Sequence, residues 1–329
     1  MRSQSPRRRH GVASIAVVAA ASLAACQASD ALVPLADALS RLTGLSLYVS
    51  SESPAKRQAD QWRSSRPQDA ALMDRMAAEP VARWIGDWNV DVKGDVAKYL
   101  TAAISDGHTP VLVAYNIPSR DCGSYSAGGS ASASAYKQWI SDFAAGLAGH
   151  TAVVILEPDA VAAASCLPAT AQEERFGLLR DAVQKLKAQN AIVYVDAGHA
   201  GWLTPATAAE RLKKAGVDLA DGFSLNVSNY VTTSSNVTYG KQISDRVGGK
   251  HYVIDTSRNG VGVTNGEWCN VPGQALGAPP STKTGNSLVD AYLWVKQPGE
   301  SDGTCNGGPK AGAWWAEYAL DLARKAYGS

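Results

Sequence analysis

Short apolar runs alternate along the chain with segments whose apolar positions recur at helical spacing. The apolar runs are continuous rather than alternating in polarity, which is typical of β-strands buried on both faces. The predicted strands are 45–50, 82–87, 109–116, 151–157, 191–197, 222–228, 251–256 and 290–296. The amphipathic stretches between them predict helices, among them 135–149, 171–189 and 204–216.

This alternation predicts an α/β fold in which helices cover a parallel sheet. Seven or eight such units favour closure, so we expect a distorted parallel β/α barrel, TIM-like, with seven or eight strands. An open doubly wound sheet is the alternative, but no GxGxxG follows the first strand to indicate nucleotide binding. Because residues 46–329 contain no Pro/Thr/Ser-rich linker and no internal repeat, they are expected to form one domain.

The first 45 residues have a different pattern. A basic start, "MRSQSPRRRH", precedes an apolar stretch at 12–25, which is shorter than the roughly 20 residues of a membrane span. Residues 1–25 are therefore predicted to be an export signal. The signal ends in "LAAC", which resembles a bacterial lipobox, so Cys26 is predicted to be lipidated and 26–45 to form a tether. The alternative is a secretory signal cut near "ACQA". Either way, we expect an exported bacterial protein, at the cell surface or secreted.

The composition of the chain indicates which classes of binding partner to expect. Of 329 residues, 45% are hydrophobic and 19% charged, and the net charge is +1, as in ordinary soluble globular proteins. This balance gives no reason to expect nucleic acid as a partner. We expect a monomer that meets a membrane only through a possible lipid anchor.

Cysteines other than Cys26 number four, namely Cys122, Cys166, Cys269 and Cys305. An even number in an exported protein predicts two disulfides. Three pairings are possible, and sequence order favours Cys122–Cys166 with Cys269–Cys305. None has CxxC spacing or a nearby histidine, so no metal site is expected.

Aspartates follow several predicted strands, at Asp121, Asp159, Asp196 and Asp302. Each alone could be a loop acid or a helix cap, but functional groups of parallel barrels collect at the carboxyl ends of strands. Carboxylates without a nucleophilic Ser–His pair indicate glycoside hydrolysis, in which one carboxyl protonates the leaving oxygen while another activates water or attacks the sugar. A metal-assisted hydrolase could also use aspartates, but only His199 lies beside a candidate acid. No cofactor is expected.

Tryptophans support a sugar substrate. Trp84, Trp88, Trp202 and Trp268 lie at or just beyond strand ends, where indole rings can stack on sugar rings. Trp139 and Trp294 lie within a helix and a strand and are expected in the core.

Five segments together resemble the successive motifs of glycoside hydrolase family 6, the cellulases and cellobiohydrolases. They are "AYNIPSRDC", "VVILEPD", "VYVDAGHAGW", "RNG…EWCNVPGQALG" and "WVKQPGESDG". They occur in the family's order and cover roughly residues 46–325. The resemblance implies a distorted α/β barrel, β-1,4-glucan substrates and inversion at the anomeric carbon.

The resemblance also implies roles for the aspartates. Asp159 of "EPD" matches the general acid, and Asp121 of "RDC" matches the residue that raises its pKa and helps to organise the water. Asp302 of "GESDG" matches the candidate base. Asp196 of "DAGH" matches a supporting acid, structural or electrostatic rather than a proton carrier.

Further positions are expected to contact substrate. Tyr115 matches a tyrosine near the distorted sugar, and Trp202 and Trp268 match stacking positions on the two sides of the scissile bond. The other expected substrate contacts are Trp84, His199, Asn226, Lys296 and Glu300.

The loop after "RDC" departs from the family pattern. The serine often found six residues past the aspartate is Ala127 here, so either Ser126 substitutes or the backbone holds the water. Arg120 has two possible roles, an ion pair that fixes the loop or an electrostatic partner that keeps Asp121 ionised.

Loop length bears on the mode of cleavage. The segment "DGTC" at 302–305 is too short to build half of a tunnel roof, so we expect an open cleft and an endoglucanase. The alternatives are a cellobiohydrolase of the same family, a retaining glycosidase, or a surface lipoprotein that binds glycan without cutting it.

Overall fold

A single parallel sheet organises the molecule, and its strand order follows the chain from β1 to β7. In the computed structural model the strands are Arg83–Gly86 (β1), Val111–Tyr115 (β2), Val153–Leu156 (β3), Ile192–Asp196 (β4), Gly222–Leu225 (β5), His251–Asp255 (β6) and Val289–Leu293 (β7). The sheet curls until the Ala82 amide, before β1, donates to the Trp294 carbonyl, after β7, at 3.0 Å. The predicted distorted α/β barrel is confirmed, with seven strands.

Helices cover the outside of the sheet. They are Pro54–Trp62 (α1), Pro67–Ala77 (α2), Val92–Ser105 (α3), Ala133–Leu147 (α4), Ala169–Ala188 (α5), Pro205–Lys214 (α6), Thr233–Ser244 (α7) and Ala316–Tyr327 (α8). Their first turns are encoded locally. Ser132 Oγ, for example, accepts the Ala135 amide at 3.1 Å before α4, and such caps satisfy amides that the helix leaves unpaired.

The structure describes residues 1, 2, 4, 5, 40–263 and 266–328. The chain divides into Met1–Ala38 and Leu39–Ser329, and the fold described here is that of the second unit. Cys26, nearly all of the predicted signal peptide and most of the predicted tether lie outside the described residues. Within the described part, no helix combines the length and apolar character needed to cross a bilayer.

The predicted strand at 45–50 is wrong. This segment makes only an isolated bridge between Leu47 and Thr109, beside the amino end of β2. The apolar run then gives way to polar residues, and Ser53 caps α1. The segment therefore pairs at a single residue, although its composition favours a strand.

Side-chain alternation along the strands divides the core into two layers. Val111, Val113 and Tyr115 of β2 belong to a cluster inside the barrel, whereas Leu112 and Ala114 pack with the surrounding helices. Trp139 and Trp294 are buried, as predicted. Because most strand residues are covered on both faces, the strands are mostly apolar, and their polar residues lie near the strand ends.

Candidate active site

A cleft of about 500 Å³ opens at the carboxyl ends of the strands. Its lining residues are Trp84, Tyr115, Asp121, Ser126, Asp159, His199, Gly201, Trp202, Ser228, Asn229, Gly266, Trp268, Lys296 and Asp302. Three of the four predicted acids and the predicted stacking residues Trp84, Trp202 and Trp268 therefore share one cavity.

Asp159 is the most perturbed acid in the cleft. It lies beyond β3 in left-handed backbone (φ 69°). Burial raises its pKa well above the ordinary aspartate value, and the nearby carboxylates of Asp196, Asp121 and Asp302 raise it further, against the opposing charge of Lys296. A carboxyl in this environment holds its proton where an ordinary aspartate would be ionised.

Asp196 lies behind Asp159 and does not line the cleft. Its side chain is fully buried at the end of β4, where Oδ1 accepts the Asp159 amide (2.9 Å) and the Gly198 amide (3.0 Å). Ser224 Oγ donates to Oδ2 at 3.0 Å. Burial raises the pKa of Asp196 to about 7, although these hydrogen bonds oppose the shift. The Asp196 carboxylate can therefore hold the backbone of Asp159 in place, and its negative charge can raise the pKa of Asp159.

Asp121 enters the cleft from the loop after β2. Its Oδ2 accepts the Ser126 amide at 2.7 Å. Burial raises its pKa, while this hydrogen bond and the charge of Arg120 oppose the rise. Ser126 lines the cleft, and Ala127 is not among the lining residues.

Arg120 is a buried anchor for the same loop. Its Nη1 bonds Asp87 Oδ1 (3.0 Å) and the Tyr115 carbonyl (2.9 Å), and its Nε donates to the Ser126 carbonyl (2.9 Å). Asp87 Oδ2 in turn accepts the Gly129 amide at 3.1 Å. Both expected roles therefore have a physical basis, an ion pair that fixes the loop and a charge that favours ionised Asp121.

Asp302 is held as an anion in the segment that follows β7. Its Oδ2 accepts hydrogen bonds from Arg258 Nη1 (2.9 Å), Tyr230 Oη (3.2 Å) and the Asn270 amide (2.9 Å). Lys296 Nζ lies 3.6 Å from Oδ1. Although burial raises the pKa of Asp302, Arg258 and Lys296 hold it below the ordinary value.

The aromatic residues differ in how much surface they offer. Trp202 and Trp268 are 38% and 43% exposed. Trp84 is more confined, because its Nε1 donates to the Val295 carbonyl at 2.8 Å and its ring meets Tyr115 edge-on. Trp88 is exposed but is not among the lining residues.

Asn226 and Glu300 are not placed in the cleft lining. Asn226 is fully buried, and its Nδ2 donates to the Asp255 carbonyl at 2.9 Å. It therefore joins the ends of β5 and β6, and its side chain is buried. Glu300 is half-buried beside Lys296, and burial raises its pKa.

Both expected disulfides are formed. Cys122–Cys166 joins the segments that follow β2 and β3, and Cys269–Cys305 joins those that follow β6 and β7. Each therefore ties together two neighbouring walls of the cleft.

Comparison with known proteins gives a family. A family model described as "Glycosyl hydrolases family 6" matches residues 42–326. The chain belongs to this family. The motif resemblance in the sequence is thereby confirmed.

Similar members of family 6 include two curated bacterial proteins. Endoglucanase A of Cellulomonas fimi is 49% identical over 80% of this chain, which spans only 58% of that protein's length. Endoglucanase 1 of Streptomyces halstedii is 43% identical over 84% of this chain and 87% of its own length.

A solved family 6 structure is also similar. The endoglucanase Cel6 from Mycobacterium tuberculosis, in complex with methyl-cellobiosyl-4-deoxy-4-thio-β-D-cellobioside, is 46% identical with a TM-score of 0.84. The match covers 87% of this chain and 99% of that one.

Several residues that line this family 6 cleft or support it from behind were missed from the sequence. Ser228 and Asn229 line it directly after β5, and the strand-end rule that found the aspartates could have found them. Glu157 accepts the amides of Asn116 and Ile117 at 2.9–3.0 Å, and burial raises its pKa to about 7. Arg258 lies in the quoted "RNG" motif, but its pairing with Asp302 depends on the fold.

Proposed function

We propose that this protein is an endo-β-1,4-glucanase that hydrolyses internal bonds of cellulose or a related β-glucan with inversion. The observation that carries the proposal is Asp159, a carboxyl with a raised pKa in a cleft lined by three tryptophans. The names of both curated relatives, and the cellobioside-type ligand of the solved relative, support it.

Asp159 would act as the general acid. Its raised pKa keeps the proton available for the leaving glycosidic oxygen. Asp121, and Asp196 when it is ionised, would sustain this state, because a negative charge beside Asp159 makes ionisation of Asp159 less favourable. When Asp159 has given up its proton, the same charges favour its return.

The water step would involve the segment that carries Asp302. Asp302 is ionised, but its Oδ2 already accepts three hydrogen bonds. Oδ1 is therefore its more available oxygen, and even there Lys296 weakens its basicity. We infer that Asp302 stabilises positive charge in the transition state and accepts the water proton through a second water. Asp121 and Ser126 would position the attacking water.

Substrate binding would use the remaining lining residues. Trp84, Trp202 and Trp268 would stack on sugar rings, with Tyr115 beside the distorted ring. His199 and Lys296 would hold hydroxyl groups, and Glu300 would act through Lys296.

The deciding experiment measures release of reducing sugar from carboxymethylcellulose by the wild type, Asp159→Asn and the control Asp106→Asn. Loss of a general acid lowers turnover by about 10²–10⁴-fold. Asp106 is an exposed aspartate that precedes β2, so its variant is expected to match the wild type. A wild type that binds glucan but is as inactive as Asp159→Asn would make the protein a glycan-binding protein.

Two further readouts separate the enzyme alternatives. A rapid fall in viscosity per bond cut indicates internal cleavage, whereas a slow fall indicates a cellobiohydrolase. An α-anomer as the first product, observed by NMR, supports inversion, and a β-anomer would establish a retaining glycosidase.

We also propose export, with residues 1–25 removed, 26–45 as a tether to the catalytic domain at 46–329, and Cys26 as the lipid attachment site. The two disulfides support an oxidising compartment. The mass of the mature amino terminus, compared with that of Cys26→Ser, separates lipidation from simple secretion.

A further inference from the structure

The loop 121–129 is held together at the cleft by hydrogen bonds at both of its ends. Asp121 and Cys122 both have left-handed backbone (φ 54° and 51°). The Asp121 carboxylate holds the Ser126 amide at 2.7 Å, while Arg120 holds the Ser126 carbonyl at 2.9 Å. Asp121 and Ser126 therefore reach the cleft together or not at all.

Tyr125 is the only large side chain of this loop, since its other members after Cys122 are glycine, serine and alanine. Its ring lies directly on Gly303, where an added Cβ would be 2.5 Å from ring carbons Cγ and Cδ1. The ring centroid is also 6.0 Å from that of Trp268, at an interplanar angle of 57°.

The two segments under Tyr125 follow β6 and β7 and form another wall of the cleft. Gly303 follows Asp302, Trp268 precedes Cys269, and the disulfide Cys269–Cys305 joins these segments. Tyr125 thus connects the loop that carries Asp121 to the wall that carries Asp302. Its hydroxyl has no hydrogen-bond partner in the described part of the chain, so the ring makes this connection.

We propose that Tyr125 is a positioning residue of this loop, and that its ring, seated on Gly303 and against Trp268, holds Asp121 and Ser126 at the cleft. This inference rests on the proposed glucan hydrolysis. In this position the Tyr125 ring bridges the cleft beside Asp302. An internal stretch of glucan therefore enters when the ring moves away from Gly303.

The acid Asp159 provides a readout of loop position. The charged groups that act on it are Asp196, Asp121, Asp302 and Lys296. Of these four groups, only Asp121 belongs to the loop 121–129. When the loop moves away, Asp159 loses a negative neighbour and ionises at lower pH.

The experiment compares wild type with Tyr125→Ala, Tyr125→Phe and Ser124→Ala on a soluble cello-oligosaccharide. Ser124 is an exposed residue of the same loop and serves as the matched control. For Tyr125→Ala we expect kcat to fall about 10- to 100-fold, the cost of a misplaced site, and the basic limb of kcat/KM to move to lower pH. Tyr125→Phe and Ser124→Ala should stay within about twofold of wild type.

Amide hydrogen exchange of 121–129 tests the same inference without activity. Exchange should be faster in Tyr125→Ala and unchanged in Tyr125→Phe. Equal exchange in Tyr125→Ala and wild type overturns the inference, as does a raised KM with unchanged kcat and pH profile, which would make Tyr125 a sugar-stacking residue. If the wild type hydrolyses no glucan, the proposed function fails, while exchange still decides the role of Tyr125.

Discussion

Asp121 and Asp159 have ionisation states that depend on each other, and this coupling gives a prediction at the residue scale. In Asp121→Asn, Asp159 loses one of the charges that raise its pKa. Because the protonated acid is the active form, the basic limb of kcat/KM should move to lower pH, and turnover at neutral pH should fall. The profile is measured from pH 4 to 9, with Asp106→Asn as the control. An unmoved basic limb would show that the Asp121 charge does not act on the group that controls this limb.

Individual positions could be predicted from the sequence where a residue lies at or just beyond a strand end. The four aspartates Asp121, Asp159, Asp196 and Asp302 were selected because strand ends meet at one edge of the barrel. The three donors to Asp302 Oδ2 could not be found in that way. Arg258, Tyr230 and Asn270 are separated from it by 44, 72 and 32 positions. Asn226 shows the converse, because a polar residue at a strand end can also bond entirely within the fold.

At the scale of elements, β6 and β7 are joined by an ion pair at the end of the barrel away from the cleft. His251 Nδ1 lies 2.7 Å from Asp290 Oδ1, and Tyr194 Oη donates to Asp290 Oδ2 at 2.6 Å. The hydrogen bond that His251 donates to Asp290 raises the pKa of His251 above its ordinary value, against desolvation and the charge of Lys250. A raised histidine pKa stabilises the fold fully below the unfolded pKa of about 6.5, and this stabilisation is lost as pH rises through the folded pKa.

His251→Asn keeps a hydrogen-bond donor but removes the charge. The free energy of unfolding in urea should therefore fall by about 1 kcal/mol at pH 5.5, and the difference from wild type should shrink by pH 8.5. His150→Asn, at an exposed position, is the control. A difference that is equal at both pH values would exclude the charged pair as its cause.

Whole elements were predicted best where composition and packing agree. Most residues of β1–β7 are apolar and buried in the barrel, so the apolar pattern matches the environment of the strands. The run at 45–50 has the same composition but meets only one partner residue, Thr109. Pairing is a property of the assembled sheet, and a single run cannot reveal whether a partner is present.

For the whole molecule, both disulfides lie on the cleft side, while backbone hydrogen bonds hold the strands beneath. Their loops span 44 and 36 residues, for which chain entropy gives about 4 kcal/mol each. Reduction should therefore lower the Tm measured by calorimetry. It should also lower activity at temperatures where far-UV circular dichroism still reports a folded barrel.

The two disulfides should differ in their effect on catalysis. Cys122 adjoins Asp121, so replacing Cys122 and Cys166 by serine should lower kcat/KM and shift its basic limb to lower pH, as in Asp121→Asn. Replacing Cys269 and Cys305 frees the wall under Tyr125, so exchange in 121–129 should rise although that loop keeps its own disulfide. If the second pair of replacements left exchange in 121–129 unchanged, the two walls would be independent, and Tyr125 would not connect them.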